Sequence, residues 1–159
     1  MKKVIFLGLI ISLVILCCAQ EEKSPIEGVW QITETSYSSP DTSWIRKPPQ
    51  PSLWFFGKEY YSIMYISSNE PRPLQQEGTP RSALTDEQVR SNYMGFVGNS
   101  GKYELNESKL ITHPIVALNP NLMTGGSWEF EYKIEGNTLM LTGTGTNSVR
   151  VDKFTLLER

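Results

Sequence analysis

A single histidine, His113, lies inside the apolar run "KLITHPIVAL", residues 109–118. An imidazole can move protons near neutral pH, bind metals or hydrogen-bond to a ligand. Four roles are therefore open: a buried neutral histidine bonded to a tyrosine or a carbonyl, a polar handle for a ligand, a general base, or a metal ligand. A general base needs a carboxylate or nucleophile nearby, and the local sequence holds none. A metal would find only carboxylates as further ligands, because no cysteine follows Cys18, so we expect no metal site.

The direction in which His113 points depends on the strand that carries it. Side chains of a strand alternate between its two faces, so Ile111, His113 and Ile115 share one face, whereas Thr112 and Val116 share the other. Both faces are largely apolar. The neighbouring isoleucines favour an inward His113.

Aromatic side chains form the second group that could bind a ligand. The chain has 4 Trp, 7 Tyr and 6 Phe, most of them in strand-like segments. A buried tyrosine needs a partner for its hydroxyl, so several inward tyrosines indicate a pocket, although core filling explains any one of them. With His113, the candidate ligand-binding residues are Trp54, Phe56, Tyr61, Tyr65, Tyr103, Trp128, Phe130 and Tyr132.

Eight β-strands and one helix are predicted to position these side chains. Periodicity and turn residues place the strands at 28–37, 53–56, 59–66, 101–105, 109–118, 126–135, 138–142 and 149–157. Thr85 with Gln88 forms a capping box, which predicts a helix from there to about Phe96 that ends near Gly98. We expect Tyr93 and Phe96 to be its core-facing residues.

Sequential antiparallel strands predict an all-β fold, an eight-stranded up-and-down barrel with one inserted helix. Closure removes the exposed sheet edges, and eight strands leave room for about one small ligand. Two proline-containing loops, 38–52 and 67–80, would lie at the barrel mouth, either as ordinary surface loops or as a lid.

The N-terminus is typical of a targeting segment. Residues 4–16 form an uncharged apolar run behind two lysines, shorter than the roughly 20 residues that span a bilayer and within the roughly 7–15 of a signal-peptide core. We therefore assign 1–20 to a signal peptide, 21–26 to a tether and 27–159 to the barrel domain. "ILCC", ending at Cys18, resembles a bacterial lipobox with Cys18 as the lipidated residue. Ordinary cleavage near Ala19 and an uncleaved anchor are the alternatives, so we expect an exported protein, either a membrane-anchored lipoprotein or periplasmic or secreted.

Composition excludes some partners and favours others. The net charge is −2 and the basic residues are scattered, which argues against a nucleic-acid partner. No phosphate loop, dinucleotide fingerprint, Gly-x-Ser-x-Gly or His-Glu-x-x-His motif occurs. We therefore expect no cofactor and a monomer that contacts membrane only through a lipid anchor.

Several motifs resemble the bacterial lipocalin-like domain families. Gly28-Val29-Trp30 looks like the lipocalin Gly-x-Trp signature, and residues 93–103 followed by "LITH" (110–113) resemble the helix, Gly-x-Tyr strand and Thr-x-His strand of those families. The resemblance covers about residues 27–157 and implies a barrel with a pocket. The lipocalin pattern also pairs the tryptophan with an arginine of the last strand. Because the last strand runs antiparallel to the first, we expect Arg159, and not Arg150, to lie over Trp30, with Gly28 in a structural role.

Three functions are compatible with the sequence. The first is binding of a small, largely hydrophobic molecule at the bacterial cell envelope. The second is an enzyme acting on a small hydrophobic substrate, with His113 and either Tyr103 or Tyr65 as acid and base. The third is a structural envelope module with a filled barrel, whose loops, around Trp44, carry the function.

Overall fold

A computed structural model of the chain describes residues 23–72, 74 and 76–159. The predicted signal peptide, with Cys18, and the first two residues of the tether lie outside the described residues.

The described residues form nine β-strands and one α-helix. The strands are β1 Gly28–Ser38, β2 Ser43–Arg46, β3 Leu53–Phe56, β4 Tyr60–Ile66, β5 Phe96–Asn106, β6 Lys109–Ala117, β7 Trp128–Glu135, β8 Thr138–Gly145 and β9 Ser148–Glu158. The helix, α1, spans Asp86–Met94, and short 3-10 turns occur at Arg81–Ala83 and Pro120–Met123.

Pairing of the first strand with the last closes the sheet into a barrel. From β3 to β9 each strand is antiparallel to the next, and β9 returns to pair with β1 from Val29↔Glu158 to Ser38↔Val149. The other edge of β1 pairs with β3 over residues 28–31 and with β2 over residues 35–38. The predicted eight-stranded antiparallel barrel is therefore confirmed, and β2 is an additional short strand at its rim.

Several predicted element bounds are wrong, among them the start of β5, which was predicted at residue 101 and lies at Phe96. The loop 38–52 contains β2, whose alternation is too short to detect in the sequence. The helix ends at Met94, because Gly95 caps it and Phe96 already pairs with Ile66 in the sheet. No residue of α1 is buried, and Tyr93 is 47% exposed, so the expectation that Tyr93 faces the core is also wrong. The capping box of Thr85 and Gln88 is present as predicted.

Side chains at the beginning of β1 close one end of the barrel. Trp30 is fully buried, and its indole Nε1 donates a 2.7 Å hydrogen bond to the carbonyl of Ile26, which is itself fully buried beside it. Gly28 has φ +140°, and a Cβ there would lie 2.5 Å from the carbonyl oxygen of Glu158. Only glycine fits this position, which explains the Gly-x-Trp pattern.

Arg159 does not lie over Trp30. Its Cα is 3.5 Å from the point that a Cβ on Gly28 would occupy. The prediction that the end of the last strand meets the start of the first is therefore correct. None of the cation–π contacts among the described residues involves either Trp30 or Arg159, however. Trp30 is covered by the segment before β1, which leaves Arg159 exposed.

Candidate functional site

A cavity of about 580 Å³ lies at the opposite, open end of the barrel, where β4, β6 and β8 end. Its volume is within the usual range of small-molecule sites. The apolar and aromatic part of its wall consists of Trp54, Ile63, Tyr65, Val97, Leu122, Trp128 and Phe130, and the polar part includes Asn119, Ser127, Glu129, Thr144, Ser148, Arg150 and Asp152.

Four of the predicted aromatic residues meet at this cavity: Trp54, Tyr65, Trp128 and Phe130. The Trp54 ring packs edge-on against Phe130, with centroids 5.8 Å apart, and Phe130 packs edge-on against Trp128 at 6.4 Å. Trp54 is only 4% exposed. These rings form a continuous aromatic wall that could contact an apolar ligand.

The other four predicted aromatic residues pack below the cavity or at the closed end. Tyr103 donates a 2.6 Å hydrogen bond to the Gly57 carbonyl, and its ring packs edge-on against Phe56, which is fully buried. Tyr61 is 2% exposed and donates a 2.6 Å hydrogen bond to Oδ1 of Asn99. Tyr132 donates to the carbonyl of Glu107 in the β5–β6 turn. Phe56, Tyr61, Tyr103 and Tyr132 lie outside the cavity wall, so the structure does not bring them together with the other four predicted residues.

Burial changes the acidity of two of these tyrosines. It raises the pKa of Tyr61 to about 12, and it also raises the pKa of Tyr103 above its ordinary value. Both hydroxyls act as hydrogen-bond donors in the core.

His113 lies on the outer face of the barrel, so the predicted inward orientation is wrong. Its neighbour Thr112 is fully buried and pairs with Trp128, whose side chain faces the interior. Partners across an antiparallel ladder share a face, which turns His113 outwards. Its Nε2 lies 3.3 Å from Oε1 of Glu104 on the neighbouring strand, and its side chain is 45% exposed. It does not line the cavity.

A buried carboxylate stands on the cavity wall at the seam between β1 and β9. Asp152 is 1% exposed, and its Oδ1 accepts a 2.5 Å hydrogen bond from Oγ1 of the fully buried Thr35. Arg150 adds a 3.0 Å hydrogen bond from Nη2 to the same oxygen, and its Nε lies 2.9 Å from Oδ2, although that N–H is not aligned for a hydrogen bond. Burial disfavours the charged form of Arg150, but the attraction of Asp152 and its hydrogen bond, with a smaller contribution from Tyr65, outweigh this, so the pKa of the guanidinium is raised.

A second arginine, from β2, joins this group at the rim. The guanidinium carbons of Arg150 and Arg46 lie 5.1 and 5.9 Å from the centre of the Tyr65 ring, and Arg46 Nη2 donates to the Tyr65 hydroxyl. Arg46 also lies 5.3 Å from the Trp44 ring, which stacks on Tyr37 at 5.5 Å. The result is a series of alternating rings and guanidiniums along one side of the mouth.

Sequence reasoning missed both arginines of this group and Asp152. Arg46 lies in a segment that was predicted to be loop, so nothing indicated that it shares a face with Thr35, its partner across β1 and β2. Arg150 and Asp152 are two residues apart on β9 and therefore share a face. That i, i+2 pair of opposite charges in an apolar strand was the one signal that could have indicated them.

The two predicted mouth loops are tied to each other at this end. Arg46 Nη1 donates a 2.5 Å hydrogen bond to the carbonyl of Ser67. The backbone N–H of Arg72 donates to Oε1 of Gln50 at 3.0 Å, and the Arg72 guanidinium lies 4.8 Å from the Phe96 ring. These contacts join the two loops, and the hydrogen bond from Arg46 to Tyr65 links them to the cavity wall.

The described residues contain neither a candidate metal site nor a helix that could span a membrane. Within residues 23–72, 74 and 76–159, no three His, Cys, Asp or Glu side chains gather as a metal site would require. None of the helices in the same part of the chain combines the length and apolar character needed to cross a bilayer.

The chain is similar to several solved structures and to one family model. A lipocalin-like protein from Bacteroides uniformis ATCC 8492 is 15% identical, with a TM-score of 0.45, and the match covers 84% of this chain and 100% of that one. An uncharacterized protein from Bacteroides eggerthii DSM 20697 is 14% identical, with a TM-score of 0.42, and the match covers 80% and 97%. No curated protein matches the chain. The model of the lipocalin-like domain matches residues 27–156, which is most of the sequence, and the chain therefore belongs to the lipocalin-like domain family.

Proposed function

We propose that the protein binds a small, largely apolar molecule in the cavity at the open end of the barrel. A lipocalin-like barrel supports a binding function in general. The apolar and aromatic lining of the cavity favours an apolar ligand. The observation that carries the proposal is the aromatic wall of Trp54, Trp128 and Phe130 around about 580 Å³ of space. A barrel packed along its whole axis would leave no such volume.

The division of the barrel into a packed half and an open half supports the same function. Trp30, Phe56 and Tyr61 are 0–2% exposed and fill the closed end. They support the cavity from below without lining it. A ligand would enter from the open end, between the loops that Arg46 and Arg72 hold in place.

Titration with the neutral fluorescent dye N-phenyl-1-naphthylamine tests the proposal directly. The dye fluoresces strongly only when it leaves water for an apolar site, and bound dye would also quench Trp54 and Trp128. We expect saturable binding of about one dye per chain. A dye signal that does not saturate, with tryptophan emission unchanged, would contradict the proposal.

The enzyme hypothesis finds less support. It required His113 in a solvent-accessible cavity with a carboxylate or tyrosine hydroxyl in reach. Glu104 is in reach at 3.3 Å, but both side chains lie on the outer surface. Tyr103 uses its hydroxyl at the closed end, bonded to Gly57.

We also propose that the protein is exported to the bacterial cell envelope, through residues 1–20, as a monomer that does not bind nucleic acid. The length of the apolar run and the cysteine at its end support export. The scattered basic residues and the net charge of −2 argue against a nucleic-acid partner. Metabolic labelling with palmitate followed by membrane fractionation tests the anchor. Cys18→Ala would abolish label and membrane association if Cys18 is lipidated, whereas unlabelled protein in the soluble fraction would favour ordinary secretion.

A further inference from the structure

We propose that the ligand is an amphipathic acid, whose carboxylate lies against the Arg150 guanidinium at the cavity mouth while its apolar body contacts Trp54, Trp128 and Phe130. The inference rests on the proposed function and adds the chemistry of the ligand's polar end.

The guanidinium of Arg150 has donors to spare on the cavity wall. Asp152 pairs with one edge of it: Nη2 donates a hydrogen bond to Oδ1, and Nε lies 2.9 Å from Oδ2. Tyr65 also interacts with the guanidinium, but Nη1 has no hydrogen bond within 3.5 Å to the described residues and is not among their buried unpaired atoms. A planar guanidinium offers its donors in pairs, and a carboxylate is the group that matches such a pair.

The charges around the mouth favour an anion. The charge of Asp152 neutralises that of Arg150. Glu129, the other acidic residue of the cavity wall, forms an ion pair with Lys109 at 2.5 Å. Arg46 has hydrogen bonds only to neutral oxygens, and no carboxylate of the described residues lies within ion-pair distance of it. One positive charge is therefore left over beside Tyr65, a residue of the cavity wall. An ammonium ligand would be repelled, and a neutral ligand would leave this charge without a partner.

The site has a solvent-exposed charged region and a buried apolar region, which match the two ends of such a ligand. Arg150 and Tyr65 lie near the rim, where water reaches the arginine, whose side chain is 39% exposed. Trp54 and Ile63 lie deeper and are buried. An acid could keep its carboxylate at the wet end and place its chain or ring on the aromatic wall.

Competition against bound N-phenyl-1-naphthylamine tests the inference with three probes of equal chain length: dodecanoate, 1-dodecanol and dodecylammonium. We expect dodecanoate to displace the dye at a concentration about tenfold lower than 1-dodecanol, and dodecylammonium to be the weakest, because a hydrogen-bonded charge adds about that much affinity. Equal competition by the acid and the alcohol would overturn the inference and leave the proposed function standing. Failure of the dye to bind would overturn the proposed function itself, and the inference with it.

Variants of Arg46 and Arg150 test whether these two residues cause the preference for the acid over the alcohol. Arg46→Gln removes the unbalanced charge, and the double variant Arg150→Gln with Asp152→Asn removes the pair without leaving a buried charge alone. Each should reduce the preference for dodecanoate over 1-dodecanol, taken as the ratio of the two competing concentrations within one variant, so that any change in dye affinity cancels. Arg159→Gln removes one positive charge, as Arg46→Gln does, but at the closed end of the barrel. It should leave the preference intact. A preference that survives in both cavity variants, or that is lost equally in Arg159→Gln, would overturn the inference.

Discussion

The hydroxyl of Thr35 lies 2.5 Å from the carboxylate of Asp152, across the seam where the first and last strands close the barrel. Both residues are almost fully buried. A buried carboxylate needs its hydrogen bonds, because an unsatisfied polar group in the interior costs stability. The pair therefore stabilises the closure of the barrel and also holds Arg150 at the cavity wall.

Replacing Thr35 with valine tests how much the hydrogen bond between Thr35 and Asp152 stabilises the pairing of β1 with β9. Thr35→Val keeps the side-chain shape but removes one of the two donors to Asp152, so the free energy of unfolding should fall by about 1–3 kcal/mol in urea denaturation. Thr33→Val is the matched control, because Thr33 is exposed and its hydroxyl donates a 3.2 Å hydrogen bond to the carbonyl of Lys153, not to a buried carboxylate. Equal and small effects of the two variants would mean that the seam does not depend on this hydrogen bond.

Gly101 should be essential for the pairing of β5 with β6. A Cβ at this position would lie 1.9 Å from the carbonyl oxygen of His113, beside the bulge where the register shifts after Ser100. Gly101→Ala must move the backbone, and we expect a loss of about 1–3 kcal/mol or more in thermal or urea unfolding. Gly57→Ala, whose Cβ would meet its nearest atom at 3.5 Å, should cost much less. Tolerance of alanine at 101 would contradict this strand register.

The stability of the protein should fall at high pH because of Tyr61. Its pKa is raised to about 12 from the ordinary 10.0, so between these values the unfolded chain has lost the tyrosine proton while the folded chain keeps it. The unfolded state is favoured as pH rises through this window, and the contribution of Tyr61 to the free energy of unfolding should fall by on the order of 2 kcal/mol.

Unfolding measured from about pH 9 to 12 in Tyr61→Phe should show a smaller decline than in the original chain. Tyr60→Phe is the matched control, because Tyr60 is 53% exposed. Identical pH profiles for the Tyr61 variant and the original chain would contradict the burial of this hydroxyl.

His113 should make no contribution to ligand binding. It lies on the outer face, so His113→Gln should leave the dye affinity unchanged in fluorescence titrations. Trp128→Ala removes part of the aromatic wall and should weaken binding by about tenfold. If the histidine variant lost as much affinity as the tryptophan variant, the imidazole would have to contact the ligand.

The orientation of His113 also shows where prediction from sequence ended. The barrel and its strands followed from alternation and turns, most clearly in β7, where Trp128 and Phe130 face inwards as predicted. On β6 both faces are apolar, so alternation could not decide between them. The register decides it, because Leu110 and Thr112 pair with those two aromatic residues. That register depends on the length of the loop between β6 and β7, which the sequence pattern did not define.

Depth within the barrel was the second quantity that the sequence could not supply. Trp54 and Phe56 share a face of β3, yet only Trp54 reaches the cavity. Alternation gives the face of a residue but not its distance from the open end, which depends on strand tilt and on which end is plugged. Arg46 was missed for another reason, since its position beside Tyr65 depends on a strand of four residues.

Blocking the cavity from within tests the central claim most directly. Gly143 lines the cavity, and a Cβ there would meet only the Phe130 ring, at 3.5 Å, so a larger side chain can be accommodated by using the space of the ligand. We predict that Gly143→Leu keeps the stability of the original chain but weakens N-phenyl-1-naphthylamine binding by about tenfold or more. Thr142→Leu, on the outer face of the same strand, should bind as the original chain does. Unchanged dye affinity in a folded Gly143→Leu variant would contradict binding in this cavity.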